Sequence, residues 1–80
     1  MNTYKLSNIS LKEFRAFLTD AGCINKGVEG GHEKWTKPGS LRPIILQTHI
    51  DPIPEFIIRN NLRNIGLRKE DFINWKYGKS

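Results

Sequence analysis

The chain has 80 residues, 38% of them hydrophobic and 26% charged, with a formal charge of +5 at pH 7 and a pI near 9.7. That is the length of one small domain, 1–80, with enough apolar residues for a thin core and too many for a disordered chain. It excludes a membrane span, because no run of about 18 apolar residues occurs, and an internal disulfide, because Cys23 is the single cysteine.

The first six residues, Met1-Asn2-Thr3-Tyr4-Lys5-Leu6, contain no apolar core of a signal peptide. A cytoplasmic location is therefore expected, and a lone cysteine fits a reducing compartment. The basic balance points to a nucleic acid or an acidic protein as partner.

Taken in order, Ser10 opens the first helix, and Glu13 three residues later completes a capping box. Ile9 and Phe14 are placed to form a hydrophobic staple. Leu11, Phe14, Phe17, Leu18 and Ala21 recur at helical spacing and predict one apolar face, with Lys12, Arg15, Thr19 and Asp20 on the other. Gly22 is a natural stop. Cys23 to Glu29 is a first strand, and Gly30-Gly31 a tight turn. His32 to Lys37 alternates strictly, which sets His32, Lys34 and Thr36 on one face and Glu33, Trp35 and Lys37 on the other. With Trp35 turned inward, His32 and Lys34 face solvent.

Pro38-Gly39 marks the next turn. Leu41 to Gln47 is the third strand, and Pro43, having no N–H, makes it an edge strand. Thr48 to Pro54 is a stiff connector. The second helix begins at Pro54 and runs to about Ile65, with Ile58, Leu62 and Ile65 as its core stripe and Phe56 or Ile57 widening it. Arg59 and Arg63 share another face. Gly66 ends this helix, and Leu67 to about Lys76 forms a short last one with Phe72 and Trp75 inward.

The elements predict an α+β fold of order α-β-β-β-α. It is a two-layer sandwich with helices on one face of a three-stranded antiparallel sheet and a short C-terminal helix. The double-stranded-RNA-binding fold has this order.

No pair among Cys23, His32 and His49 has the spacing of a metal site, and no phosphate-binding glycine loop occurs, so neither metal nor cofactor is expected. Asn8-Ile9-Ser10 matches a glycosylation pattern but reads better as a helix cap. Cys23 reads as a small buried hydrophobe, and Trp35 and Trp75 as core. His32 carries the strongest chemical candidacy. Imidazole titrates where a general base works best. With Lys34, Lys26, Lys37 or Arg42 as the cation it has the composition for cleaving RNA through the ribose 2′-OH, without a metal. A hydrogen-bonded surface histidine is the competing reading. Arg42, Arg59 and Arg63 make either a phosphate-binding stripe or a solvated helix face. His49 reads as structural or as a loop contact.

Several short motifs carry a resemblance: Leu18-Thr19-Asp20-Ala21-Gly22-Cys23, Gly30-Gly31-His32-Glu33-Lys34-Trp35, Lys37-Pro38-Gly39, and Leu62-Arg63-Asn64-Ile65-Gly66-Leu67-Arg68-Lys69-Glu70-Asp71-Phe72. In order and spacing the chain resembles the HicA-type toxins, from about Leu11 to Phe72. The resemblance implies a double-stranded-RNA-binding-like fold and a metal-independent endonuclease acting on messenger RNA (an mRNA interferase). It further implies a catalytic role for His32 and a HicB-type antitoxin as protein partner. The chain departs from the pattern in having Glu33 where many members carry a second histidine. It also has an acidic, apolar Asp51–Glu55 connector where they are basic. The alternative is a non-catalytic RNA-binding or protein-interaction domain of the same fold.

Overall fold

A computed structural model describes residues 6–78. The expectation drawn from Met1–Lys5 lies outside them. The element order is α1 (Leu11–Asp20), β1 (Ile24–Glu29), β2 (His32–Thr36), β3 (Ile44–Gln47), α2 (Glu55–Asn64) and α3 (Lys69–Tyr77). The strands form an antiparallel sheet of order β1-β2-β3, as the alternation and turns predicted.

Ser10 caps α1, its hydroxyl accepting from the Glu13 N–H at 3.0 Å. Only half of the expected capping box forms, because the Glu13 carboxylate turns away to Lys76 of α3. A long-range cap serves the next donor along: Asp51 Oδ1 accepts from the Leu11 N–H at 3.1 Å. This gives the acidic connector a structural use, since a carboxylate at a helix N-terminus meets both a free N–H and the positive dipole end. The connector is tied down again where the Ile53 N–H donates to the Ile9 carbonyl at 2.8 Å.

The Gly30-Gly31 turn has both residues at positive φ, 59° and 81°, with Glu29 facing His32 across it. Such a turn matches the right-handed twist of the strands and favours glycine at both positions. Beyond it, β3 begins later than the sequence suggested. Pro43 breaks the ladder, and Leu41 and Arg42 lie in the preceding loop, Leu41 fully exposed. Lys37 likewise lies just past β2, in a turn closed by Ser40 N–H to its carbonyl at 2.9 Å. It therefore does not continue the Trp35 face.

Burial shows which sheet face is covered. Glu33, Trp35, Ile44 and Leu46 are buried under the helices, whereas His32, Lys34, Ile45 and Gln47 stand on the open face. Phe14, Leu18, Ile58, Leu62 and Phe72 complete one contiguous core. In α2 it is Ile57 that widens the core stripe, while Phe56 is 64% exposed. α2 also shields the edge strand, where Asn61 and Asn64 donate side-chain N–H groups to the carbonyls of Ile45 and Pro43 at 3.3 and 3.4 Å. Covering an edge in this way removes a template for unwanted strand pairing.

α3 starts two residues later than Leu67 and docks on α1 through aromatic rings. Phe72 meets Phe14 and Phe17 at centroid distances of 5.9 and 5.0 Å, and Trp75 meets Phe17 at 5.4 Å. The Trp75 indole donates to Asp20 at 2.8 Å. Among the described residues no helix is long and apolar enough to cross a membrane.

Candidate functional site on the open sheet face

His32 is the first residue of β2, exposed, with its side chain on the face the helices leave open. The register puts Glu29 beside it on β1 and Gln47 beside it on β3. Lys34 follows two positions on, on the same face, about 7 Å along the strand. An imidazole and an ammonium are thus held on one rigid element, as the alternation predicted. His49 closes on the same end of the sheet: its Nδ1 lies 3.8 Å from the point a Cβ on Gly31 would occupy. The Thr48 N–H binds the Gly31 carbonyl at 2.9 Å. This is a loop contact, one of the two roles the sequence allows His49.

The other basic candidates divide. Lys26 is exposed in β1, at the bulge where the register shifts between Asn25 and Gly27. Lys37, Arg42 and Arg63 come together around a concavity of about 420 Å³ at the far end of the sheet, together with Ser40 and Asn64. β2 carries Lys37 about 16 Å from His32. Arg59 is held by Glu55, one helical turn back, at 2.9 Å. Of the expected stripe, Arg42 and Arg63 meet at this concavity, while Arg59, one turn before Arg63 on α2, carries an ion pair within its own helix.

What holds β2, and so aims His32, is a residue the sequence reading left without a role. Glu33 is 2% exposed. Its carboxylate accepts from Arg15 Nη2 at 2.7 Å, Arg15 Nε at 3.0 Å, Trp35 Nε1 at 2.6 Å and Asn25 Nδ2 at 3.2 Å. Burial pushes its pKa up, but the hydrogen bonds from Arg15, then from Trp35, and the Arg15 charge outweigh that. The carboxyl ends below its ordinary value. Arg15 is correspondingly raised, chiefly by its bonds to Glu33. Arg15 thus does not belong wholly to the outer face of α1. The strict alternation in β2 was the available signal: a carboxylate on the Trp35 side must find a buried partner.

Burial raises the Cys23 thiol, with Lys37 opposing, so it sits as a neutral buried side chain. Among the described residues no three His, Cys, Asp or Glu side chains gather as metal ligands would. A second concavity, of about 320 Å³, opens directly beside His32 and is walled mainly by apolar side chains of β3, the connector and the start of α2. The sequence does not reveal it, since helical spacing marks Phe56 and Ile57 alike as candidates for the core.

Comparison with family models, with curated proteins and with solved structures found no match to this chain.

Proposed function

We propose that this protein is a metal-independent RNA endonuclease of the HicA type, the toxin of a toxin–antitoxin pair, acting on messenger RNA in the cytoplasm. The observation that carries the reading is the placement of His32 with Lys34 on the open face of the sheet. Neutral imidazole takes the proton from a ribose 2′-OH. The alkoxide forms a bond to the adjacent phosphorus, the bond to the 5′-oxygen breaks, and that oxygen takes up a proton. Lys34 offsets the negative charge that grows on the phosphoryl oxygens. Lys26, Lys37, Arg42, Arg59 and Arg63 are the remaining candidates for phosphate contact.

The element order and the covered and open faces support a double-stranded-RNA-binding-like arrangement. In this reading a HicB-type antitoxin silences the toxin by covering the face that bears His32. The cluster of Lys37, Arg42 and Arg63, set apart from His32, favours a second reading: a non-catalytic RNA-binding domain.

Tightly induced expression of the parent and of His32→Ala in a bacterial host tests the proposal. Growth arrest by the parent alone, with RNA cut in vitro by the parent and about 10²–10⁴-fold more slowly by the variant, supports it. Equal arrest by both proteins refutes the role of His32. Soluble protein that binds RNA and leaves it intact favours the second reading.

A further inference from the structure

The groove beside His32 has a composition that a general base alone does not require. Its walls include Ile45, Ile50, Phe56 and Ile57, and its polar members are His32 and Gln47. In the β2–β3 register His32 stands opposite Gln47, and Lys34 opposite Ile45. Phe56 is 64% exposed and Ile45 40%, so an aromatic ring and a branched aliphatic side chain remain open to solvent along it.

These groups match the parts of one unstacked nucleotide. An aromatic ring and apolar walls receive the face of a base. The Gln47 amide, with a donor and an acceptor, can read a base edge. His32 and Lys34 lie where the attached ribose and phosphate would follow. The volume, about 320 Å³, lies at the small end of ligand sites and suits one base rather than a stacked pair. Glu29 stands beside His32 on β1 and repels a phosphate there, whereas Lys34, two positions along β2 on the same face, attracts one.

We propose that this groove is a nucleobase subsite for single-stranded RNA, with Phe56 as the stacking platform and Gln47 as the edge reader. The inference deepens the nuclease reading and rests on it for the role of His32. It also has a consequence of its own. A base can enter only after leaving its stack, so duplex RNA is a poor ligand.

The test uses the full chain in a His32→Ala background, so that the RNA survives. The probes are a fluorescently labelled single-stranded RNA oligonucleotide of mixed sequence and its duplex. Phe56→Ala is expected to weaken single-strand binding about 5- to 150-fold, the worth of one base–aromatic stack. Gln47→Ala weakens it less and broadens sequence preference. Val28→Ala, an exposed apolar residue of β1 outside both concavities, leaves it unchanged. Circular dichroism confirms that the variants fold, and Phe56→Tyr, which keeps a stacking ring, restores binding. Equal affinity for Phe56→Ala and Val28→Ala overturns the subsite, as does tighter binding of the duplex. RNA binding indifferent to Phe56 is also what an apolar protein segment as the natural occupant would give. The two proposals fail separately. Phe56-dependent binding without cleavage by the parent ends the nuclease reading alone. His32-dependent cleavage with a site pattern and affinity unmoved by Phe56→Ala ends the subsite alone.

Discussion

His32 and Glu33 are neighbours in sequence and stand on opposite faces of β2, the imidazole exposed on the open side and the carboxylate 2% exposed beneath the helices. One strand position thus separates the candidate catalyst from the anchor that orients it. Glu33 ties β2 to α1 through Arg15, to β1 through Asn25, and to its own strand through Trp35. A strand held on its inner face by that many bonds presents its outer face with little freedom.

Glu33→Gln should therefore lower stability by about 2–4 kcal/mol, as expected when one member of a buried, hydrogen-bonded ion pair is neutralised. Part of the Arg15 side chain reaches solvent, which moderates the cost. Urea unfolding of parent and variant measures it. A change below about 0.5 kcal/mol would mean that the network adds nothing to β2.

The same carboxyl sets an acid limit. Its pKa in the folded protein is below the ordinary value. Its stabilising contribution is thus complete above the unfolded value of about 4.3 and is lost as pH falls through the lower native value. Parent and Glu33→Gln should differ most near neutrality, and the gap should narrow steadily as pH falls below the unfolded value of about 4.3. Other carboxylates affect both chains alike, so the difference between them isolates Glu33. A gap that stayed constant down to pH 2 would contradict the assignment.

Much of this fold was legible because its signals are local. Ser10, Gly22 and Gly66 punctuate helices, Gly30-Gly31 sets a hairpin, and the apolar spacing in α1 and α2 names core residues that are buried. The site was legible in part for the same reason: alternation alone sends His32 and Lys34 to one face. The rest depended on contacts distant in sequence. Glu13 has a partner in Lys76, Asp51 a partner in the Leu11 N–H, and Arg15 a partner in Glu33. No local pattern encodes such pairs. Phe56 and Ile57 are adjacent apolar residues at the start of α2, and helical spacing could not say which one the core would take.

The aromatic contact between α1 and α3 makes a separate stability prediction. Phe72 is fully buried and touches Phe14, Phe17 and Trp75. Phe72→Ala should cost about 3–5 kcal/mol, a large part of the total for a chain this small. Hydrogen exchange should show α3 amides losing protection first, because this ring, flanked by Ile73 and Trp75, is the largest group that α3 buries in the core. Uniform loss across the sheet and helices instead would mean that α3 unfolds only with the whole domain.

The two groups of basic residues should separate in function. Lys34 shares the open face with His32, whereas Arg63 lies with Lys37 and Arg42 at the far end of the sheet. A cation close to the reacting phosphate acts on the transition state, so Lys34→Ala should slow single-turnover cleavage more than it weakens RNA binding. A distant phosphate contact acts on the bound strand as a whole. Arg63→Ala should weaken binding of all sequences alike, and reduce the slope of log affinity against log salt by about 1, with the cleavage rate of bound RNA unchanged. Both variants are exposed substitutions away from the core and should retain the parent's stability. Single-turnover rates at saturating protein, together with affinities from 50 to 200 mM salt, distinguish the two. If Lys34→Ala changed only affinity, the cation beside His32 would be a binding group like the others, and the charge on the phosphoryl oxygens would have to be met elsewhere.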